Sequence, residues 1–319
     1  MRIGILTGGG DAPGLNGVIE SVGTTLLRFG HEVVGICDGF EGIYNRKTIP
    51  IRLENLEGIY AKAGTLLGTS NKSGTKGREQ EFLESYKSLK LDGLIACGGD
   101  GTFSALKQFG NDIKLIGVPK TIDNDLAGSE ITIGVDTALN IALEAIDRLK
   151  TTAASHHRAF LVEVMGRHCG YLALMAGIAG GAEVVAIPEQ PCEPETIAQE
   201  LKAAYERGKS HAIGVMAEGA KYRAADIAAY VRDHHERIGF DLRVTALGHV
   251  QRGGTPGAFD RLLATRLGAG AVDALVRGQT GVLVGLLRGE VATTPLADVA
   301  GTTKPFDLRL MDLARMLAR

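Results

Sequence analysis

The chain has 319 residues, 45% of them hydrophobic and 23% charged, with a formal net charge of −2. At roughly 100–200 residues per domain this length predicts two domains with substantial cores. The near-neutral balance excludes a nucleic-acid or anionic-membrane partner held by bulk charge, so any anion site must be local.

In chain order, short apolar runs alternate with helical patterns. Strands are expected at 2–10, 32–39, 91–101, 114–121, 159–167, 183–189, 212–219, 244–254 and 281–289. Helices are expected at 14–29, 78–90, 102–109, 135–154, 170–179, 194–208, 224–238, 260–277 and 305–318. Runs apolar throughout are strands buried on both faces, which means parallel strands with helices on either side. The alternation predicts an α/β fold of open, mostly parallel, three-layer sheets. The segment "PETIAQELKAAYERG" carries Pro at its start and Gly at its end, a complete helix frame. No Pro/Gly/Ser-rich linker separates the halves, and the long helix from Asp136 is the expected crossover.

The opening "MRIGILTGGG" is too short an apolar stretch for a signal peptide. No run of about 18 apolar residues predicts a membrane span. Cys37, Cys97, Cys169 and Cys192 are widely spaced without a C-x-x-C pair. That predicts reduced thiols in a cytoplasmic protein and argues against zinc.

In open α/β sheets ligands bind beyond the carboxyl ends of the strands, and there the unusual residues gather. "LTGGGDAPG" runs a strand into Gly8, Gly9 and Gly10 before a helix, which suits either a tight turn or a phosphate cradle. It is neither a Walker A loop nor a G-x-G-x-x-G, which excludes a nicotinamide-linked Rossmann oxidoreductase. "CGGDGT" repeats the device with Asp100 in its centre. That carboxylate fits either a helix N-cap or a Mg²⁺ ligand at a nucleotide phosphate. "GVPKTIDNDLAG" places Lys120, Thr121, Asp123 and Asp125 just after an apolar strand. Asp-Asn-Asp is good turn chemistry. It also supplies a base for an alcohol proton and a second carboxylate for a phosphate-bound metal. "EVMGRHCG" puts Arg167 at a strand end, "LGHVQRGG" puts His249 and Arg252 ahead of paired glycines, and Arg158 and Arg243 each begin a strand. Arginine forks suit phosphate. His156 and His157 read as helix-end residues, and His234 and His235 as a solvated helix face.

Together "GGGDAPG", "GGDGT", "PKTIDND", "EVMGR" and "GHVQRGG" resemble, in order and spacing, the 6-phosphofructokinase family. The resemblance runs the whole length of the chain, to "TKPFDLRLMDLARML", and fits the short bacterial form. NAD kinases and diacylglycerol kinases share a loop like GGDGT but lack the other motifs. The resemblance implies a domain of residues 1–134 plus 251–300 that binds nucleotide phosphates. It implies a second of 135–250 plus 301–319 that binds fructose 6-phosphate, with the active site in the cleft between them. Asp123 would take the proton of the sugar 1-hydroxyl, with Thr121 and Arg167 at the reaction centre. Asp100 and Asp125 would position Mg²⁺ and the transferring phosphate, Asp100 as the metal ligand. Gly9, Gly10, Gly99, Asp100, Gly101, Thr102, Lys120, Lys72 and, as an adenine platform, Phe40 would hold ATP. Thr121, Asp123, Asp125, Met165, Gly166, Arg167, Glu218, His249 and Arg252 would hold fructose 6-phosphate. Arg158 and Arg243 resemble the pair that reaches that sugar phosphate from a neighbouring subunit, implying a homotetramer.

The chain departs from the family pattern in three places. After "LGTS", where ATP enzymes often carry a phosphate-binding arginine, it has Asn71 followed by Lys72. Bacterial relatives controlled by ADP and phosphoenolpyruvate place two arginines on the first helix, at positions that here are Glu20 and Thr24. The other members expected of that effector pocket, Glu183, Arg207, Lys209 and His211, remain. Finally, pyrophosphate users commonly carry a lysine before "TIDND", which Lys120 matches, and an aspartate after "GGD", where this chain has Gly101. The sequence therefore reads as an ATP-dependent enzyme of glycolysis, with a pyrophosphate-dependent enzyme as the alternative and a non-catalytic nucleotide-binding regulator as the alternative of another class.

Overall fold

The computed structural model describes residues 1–305 and 307–318. Phe306 and Arg319, within the helix expected at 305–318 and the second expected domain, lie outside the described residues. Among the described residues the eleven strands are β1 Arg2–Thr7, β2 Glu32–Ile36, β3 Thr48–Ile51, β4 Gly93–Gly98, β5 Leu115–Pro119, β6 Ala159–Val164, β7 Val184–Ala186, β8 Ala212–Ala217, β9 Leu242–Ala246, β10 Val282–Leu287 and β11 Glu290–Pro295. Two compact units result, Met1–Thr137 with Arg252–Lys304, and Ala138–Gln251 with Pro305–Arg319. Residues 135–137 and 301–304, assigned on sequence to the second domain, thus pack with the first unit, and Gln251, assigned to the first domain, packs with the second.

The first unit holds a seven-stranded sheet in the order β11-β10-β5-β4-β1-β2-β3. Its five central strands are parallel, and the edge strands β3 and β11 run antiparallel to their neighbours. Alternate residues of one strand feed opposite faces. Ile5, Ile95 and Ile116 enter one apolar cluster with Leu15, Val18 and Leu267, whereas Leu6, Leu94 and Leu115 enter another with Phe82, Phe103 and Phe109. Each such side chain contributes about 1.5–3 kcal/mol on burial, which is why these strands read as unbroken apolar runs. The second unit holds a four-stranded, wholly parallel sheet in the order β7-β8-β6-β9. The helix Pro194–Glu206 starts on its proline, ends at Arg207, and is followed by Gly208 at φ 86°.

Two strands escape the sequence reading because they are edges. β3 (TIPI) contains Pro50, tolerable only where one side of the backbone is unpaired. β11 (EVATTP) is mostly exposed and polar. The strand expected at 244–254 is corrected to Leu242–Ala246: the chain then takes Gly248 at φ 52° and a 3₁₀ turn, Gly248–Gln251, which no strand can continue. The expected helix-end and solvated histidines are so placed: the long helix Val135–His156 ends on His156, and His234 and His235 are exposed.

Candidate active site

In the first unit the loops after the adjacent parallel strands β1, β4 and β5 come together. The loop after β1 places Gly9 at φ 77°, a conformation open to glycine. Gly8 and Gly98 both lie against Thr102, whose side chain would stand 2.7 and 2.4 Å from a Cβ added at each. The two glycine loops therefore nest on one threonine, and neither position accepts a side chain without displacing it. Thr69 Oγ1 donates to the Gly9 carbonyl.

Two cations converge on consecutive carbonyls of the same loop. Lys120 Nζ donates to the Gly10 carbonyl, and Arg252 Nη1 donates to the Asp11 carbonyl at 2.8 Å. A Cβ on Gly10 would come within 2.6 Å of Arg252 Nη1. Lys120 is 3% exposed. Burial, reinforced by the charge of Arg252, pulls its pKa down to about 8 against the opposing pull of Cys97, Asp11 and Asp123.

The turn after β5 resolves the roles of Asp-Asn-Asp. Asn124 is the turn residue: it sits at φ 53°, donates from Nδ2 to the Glu130 carbonyl at 3.3 Å and accepts from the Thr132 amide at 3.1 Å. Thr121 Oγ1 donates to Asp125 Oδ1 at 3.2 Å and accepts the Asp123 amide at 3.2 Å. Asp123 and Asp125 are both half-buried.

Asp100 is the first residue of the helix Asp100–Leu106, and Gly99 is its N-cap, so the N-cap reading of Asp100 does not hold. Its Oδ1 accepts the Gly301 amide at 2.6 Å, and Lys304 donates its amide to the Asp125 carbonyl at 2.9 Å. The segment 301–304 thus ties the Asp100 and Asp125 loops together. Nothing lies within 4 Å of a Cβ built on Gly101. Lys72 and Asn71 are exposed. Phe40 differs from expectation: it is 4% exposed and packs edge-on to Phe82 with ring centroids 6.2 Å apart. A ring so enclosed is a core residue here, and stacking on a purine would require its face to be uncovered.

In the second unit Met165, Gly166 and Arg167 follow β6, Glu218 follows β8, and His249 lies in the turn after β9. These loops are zipped by backbone bonds, Glu218 N–H to Val164 O at 2.8 Å and Gly219 N–H to Gly166 O at 3.1 Å. Gly166 stands at φ 136°, and a Cβ there would meet the Cys169 carbonyl at 2.4 Å. Arg167, Glu218 and His249 are exposed and Met165 is buried. Arg158 and Arg243 lie at the other edge of this sheet: Arg158 precedes β6, and Arg243 pairs with Phe160 near its start. A six-residue strand spans about 20 Å, so one chain does not bring this pair to Arg167.

Sequence reasoning missed three residues. Gln251 is buried and hydrogen-bonded at both ends of its amide. Asp260 is 0% exposed and accepts the amides of Gly134 and Thr137, both at 2.8 Å, and the Thr137 hydroxyl. It fastens the start of the long helix, and burial raises its pKa. Gly301 orients Asp100. Only Gln251 had a signal, its place inside "GHVQRGG".

A family model described as Phosphofructokinase matches residues 2–275. The chain is 46% identical to ATP-dependent 6-phosphofructokinase 1 of Thermus thermophilus, covering 99% of both chains. It is 44% identical to the ATP-dependent 6-phosphofructokinase of Natranaerobius thermophilus, again over 99% of both. Among solved structures, phosphofructokinase from Saccharomyces cerevisiae superposes with a TM-score of 0.84 at 34% identity, over 93% of this chain and 45% of the yeast chain. The pyrophosphate-dependent phosphofructokinase of Nitrosospira multiformis gives a TM-score of 0.87 at 18% identity, over 96% of this chain and 86% of its own, and shares the fold.

Proposed function

The chain belongs to the phosphofructokinase family, and we infer from that premise that it is an ATP-dependent 6-phosphofructokinase, transferring the γ-phosphoryl of ATP to the 1-hydroxyl of fructose 6-phosphate in glycolysis. The observation that carries the residue assignment is the convergence in one unit of the two glycine loops, the Thr121–Asp125 turn and the paired cations Lys120 and Arg252. Asp123 accepts the proton as the 1-oxygen attacks the γ-phosphorus and the bond to the bridging oxygen breaks, releasing ADP. Lys120 and Arg252, held on loop carbonyls, are the cations available to the phosphoryl oxygens. Asp100 and Asp125 suit Mg²⁺, which takes one or two carboxylates and completes its shell with water and substrate phosphate. That ion supplies charge neutralisation on the phosphates. Met165, Gly166, Arg167, Glu218, His249 and Arg252 are assigned to the sugar phosphate.

The placement of Arg158 and Arg243 at the opposite sheet edge favours a homotetramer in which these two arginines serve a neighbour's site. Among the described residues no helix is long and apolar enough to cross a membrane, and a cytoplasmic location fits four cysteines that are not paired in disulfides among the described residues. Initial rates with ATP and with pyrophosphate, measured side by side with fructose 6-phosphate and Mg²⁺, test the reading. Turnover with ATP is expected, and silence with both donors would leave the non-catalytic regulator.

Lys120 gives a pH dependence. With its pKa lowered to about 8, its charged fraction falls as pH rises through that value. The ratio kcat/KM reports free-enzyme ionisation, so kcat/KM for ATP should decline from pH 7 to pH 9. The thiol beside it, Cys97, is pushed up to about 12 by burial and stays neutral throughout. Lys120→Met should lower the plateau and flatten this limb. An unchanged limb in that variant would assign the titration elsewhere.

A weak response to ADP and phosphoenolpyruvate is also expected. Glu20, in place of an arginine, repels phosphate and already accepts the Tyr60 amide at 2.8 Å. Glu183 is bound to Lys209 at 2.9 Å and to the Ile213 amide, and Arg207 donates to the Ala318 carbonyl at 2.8 Å. His211 is half-buried, and Thr24 offers a hydroxyl in place of a guanidinium. Each charge-assisted bond lost is worth about 1.5–3 kcal/mol, more than tenfold in affinity. Half-saturation for fructose 6-phosphate should therefore hold steady at sub-millimolar effector, and a sharp shift would contradict this.

A further inference from the structure

We propose that Gln251 is a positioning residue for the sugar-phosphate side, holding the Met165–Arg167 loop through its side-chain amide; the proposal rests on the phosphofructokinase reading above. Gln251 ends the 3₁₀ turn Gly248–Gln251 and is 0% exposed. Its Oε1 accepts the Met165 amide at 2.7 Å, and its Nε2 donates to the Ala138 carbonyl at 3.2 Å. One partner can only donate and the other only accept, so the orientation of the amide is determined by its neighbours.

The bond replaces a missing rung of the sheet. β9 runs parallel to β6, and the Leu247 amide donates to the Glu163 carbonyl at 2.9 Å. In a continuing parallel ladder the next rung would take the Met165 amide to the Leu247 carbonyl. The chain instead turns away at Gly248, φ 52°, and the Gln251 side chain supplies the acceptor. The β8 side of the same loop is closed by the Glu218 and Gly219 amides. A Cβ on Gly219 would come within 1.9 Å of the Arg167 carbonyl, so the packing there leaves little freedom. Gln251 closes the β9 side. One amide therefore sets the loop that presents Arg167 and anchors it to the turn that presents His249. Both residues belong to the sugar-phosphate assignment and neither to the nucleotide assignment.

The test is steady-state kinetics on Gln251→Leu and Gln251→Glu, with KM for each substrate at saturating partner and a melting curve for each protein. Gln251→Leu leaves a buried amide unpaired. It should raise KM for fructose 6-phosphate about tenfold while KM for ATP stays within about twofold. Gln251→Glu keeps both bonds only as the neutral acid, and burial raises the pKa of that acid. Its KM for fructose 6-phosphate should recover toward the wild-type value as pH falls, which the wild type and the leucine variant should not show. Equal changes in both KM values, no change in either, or a glutamate variant without pH-dependent recovery would overturn the proposal. If the leucine variant does not fold, the pH profile of the glutamate variant decides. Failure of the family reading shows separately, as a wild-type protein that turns over neither donor.

Discussion

Asp123→Ser is expected to lower turnover by the roughly 10²–10⁴ typical of losing a general base. The KM for fructose 6-phosphate should change far less. The turn is held by Asn124, through the Glu130 carbonyl and the Thr132 amide, and by the Thr132 hydroxyl on the Thr121 carbonyl at 2.6 Å. None of these bonds uses the Asp123 carboxylate. The Asp123 amide keeps its bond to Thr121 Oγ1 whatever the side chain. A serine therefore removes the proposed proton acceptor and keeps these named bonds of the turn in place. Asp123→Asn adds a variant of the same shape that cannot take a proton. Near-normal turnover in either folded variant would remove Asp123 from the role of base.

How much of this could be read from residues alone follows from where the information sits. β1, β4 and β5 were legible because both their faces are buried, so local hydrophobicity reports them without ambiguity. β3 and β11 were not, because an edge strand is specified by its one neighbour and can carry Pro50 or Glu290 at no cost to the core. The glycine loops were legible since close backbone approach leaves only glycine at Gly8, Gly98 and Gly166, and a chemical group beside such a glycine stands out. Groups that act across long separations left no local trace. Gln251 reaches a partner 86 residues away, Asp260 one 126 away, and Gly301 orients an aspartate 201 residues before it. Phe40 shows the converse: a position suited to a base-stacking ring is filled by one that the core has enclosed.

Gly101→Asp should lower kcat/KM for ATP far more than for pyrophosphate, because two positions of this chain point to different donors and the glycine outweighs the lysine. Lys120 is the residue common in pyrophosphate users. In this structure it is buried against the Gly10 carbonyl, next to the carbonyl that Arg252 holds, and in the proposed site a cation there would serve a phosphate of either donor and exclude none. Gly101 acts by what it leaves out. It is exposed in the first turn of the helix Asp100–Leu106, with nothing within 4 Å of where a Cβ would stand. The space is open and the backbone unstrained, so an aspartate can be accommodated without disturbing the fold. Its carboxylate would then follow Asp100 in the first turn of that helix, where on the proposed reading it would meet the α-phosphate of a nucleotide, a group that pyrophosphate lacks. Like-charge juxtaposition of that kind costs several kcal/mol, whereas one more cation shared by both donors discriminates little. Exclusion at Gly101 should therefore outweigh attraction at Lys120, and the unaltered protein should prefer ATP. The check is kcat/KM for both donors in the wild type and in Gly101→Asp, with a melting curve to show that the fold is kept. Faster turnover of pyrophosphate than of ATP by the wild type at equal concentration would mean that Lys120 governs the choice of donor.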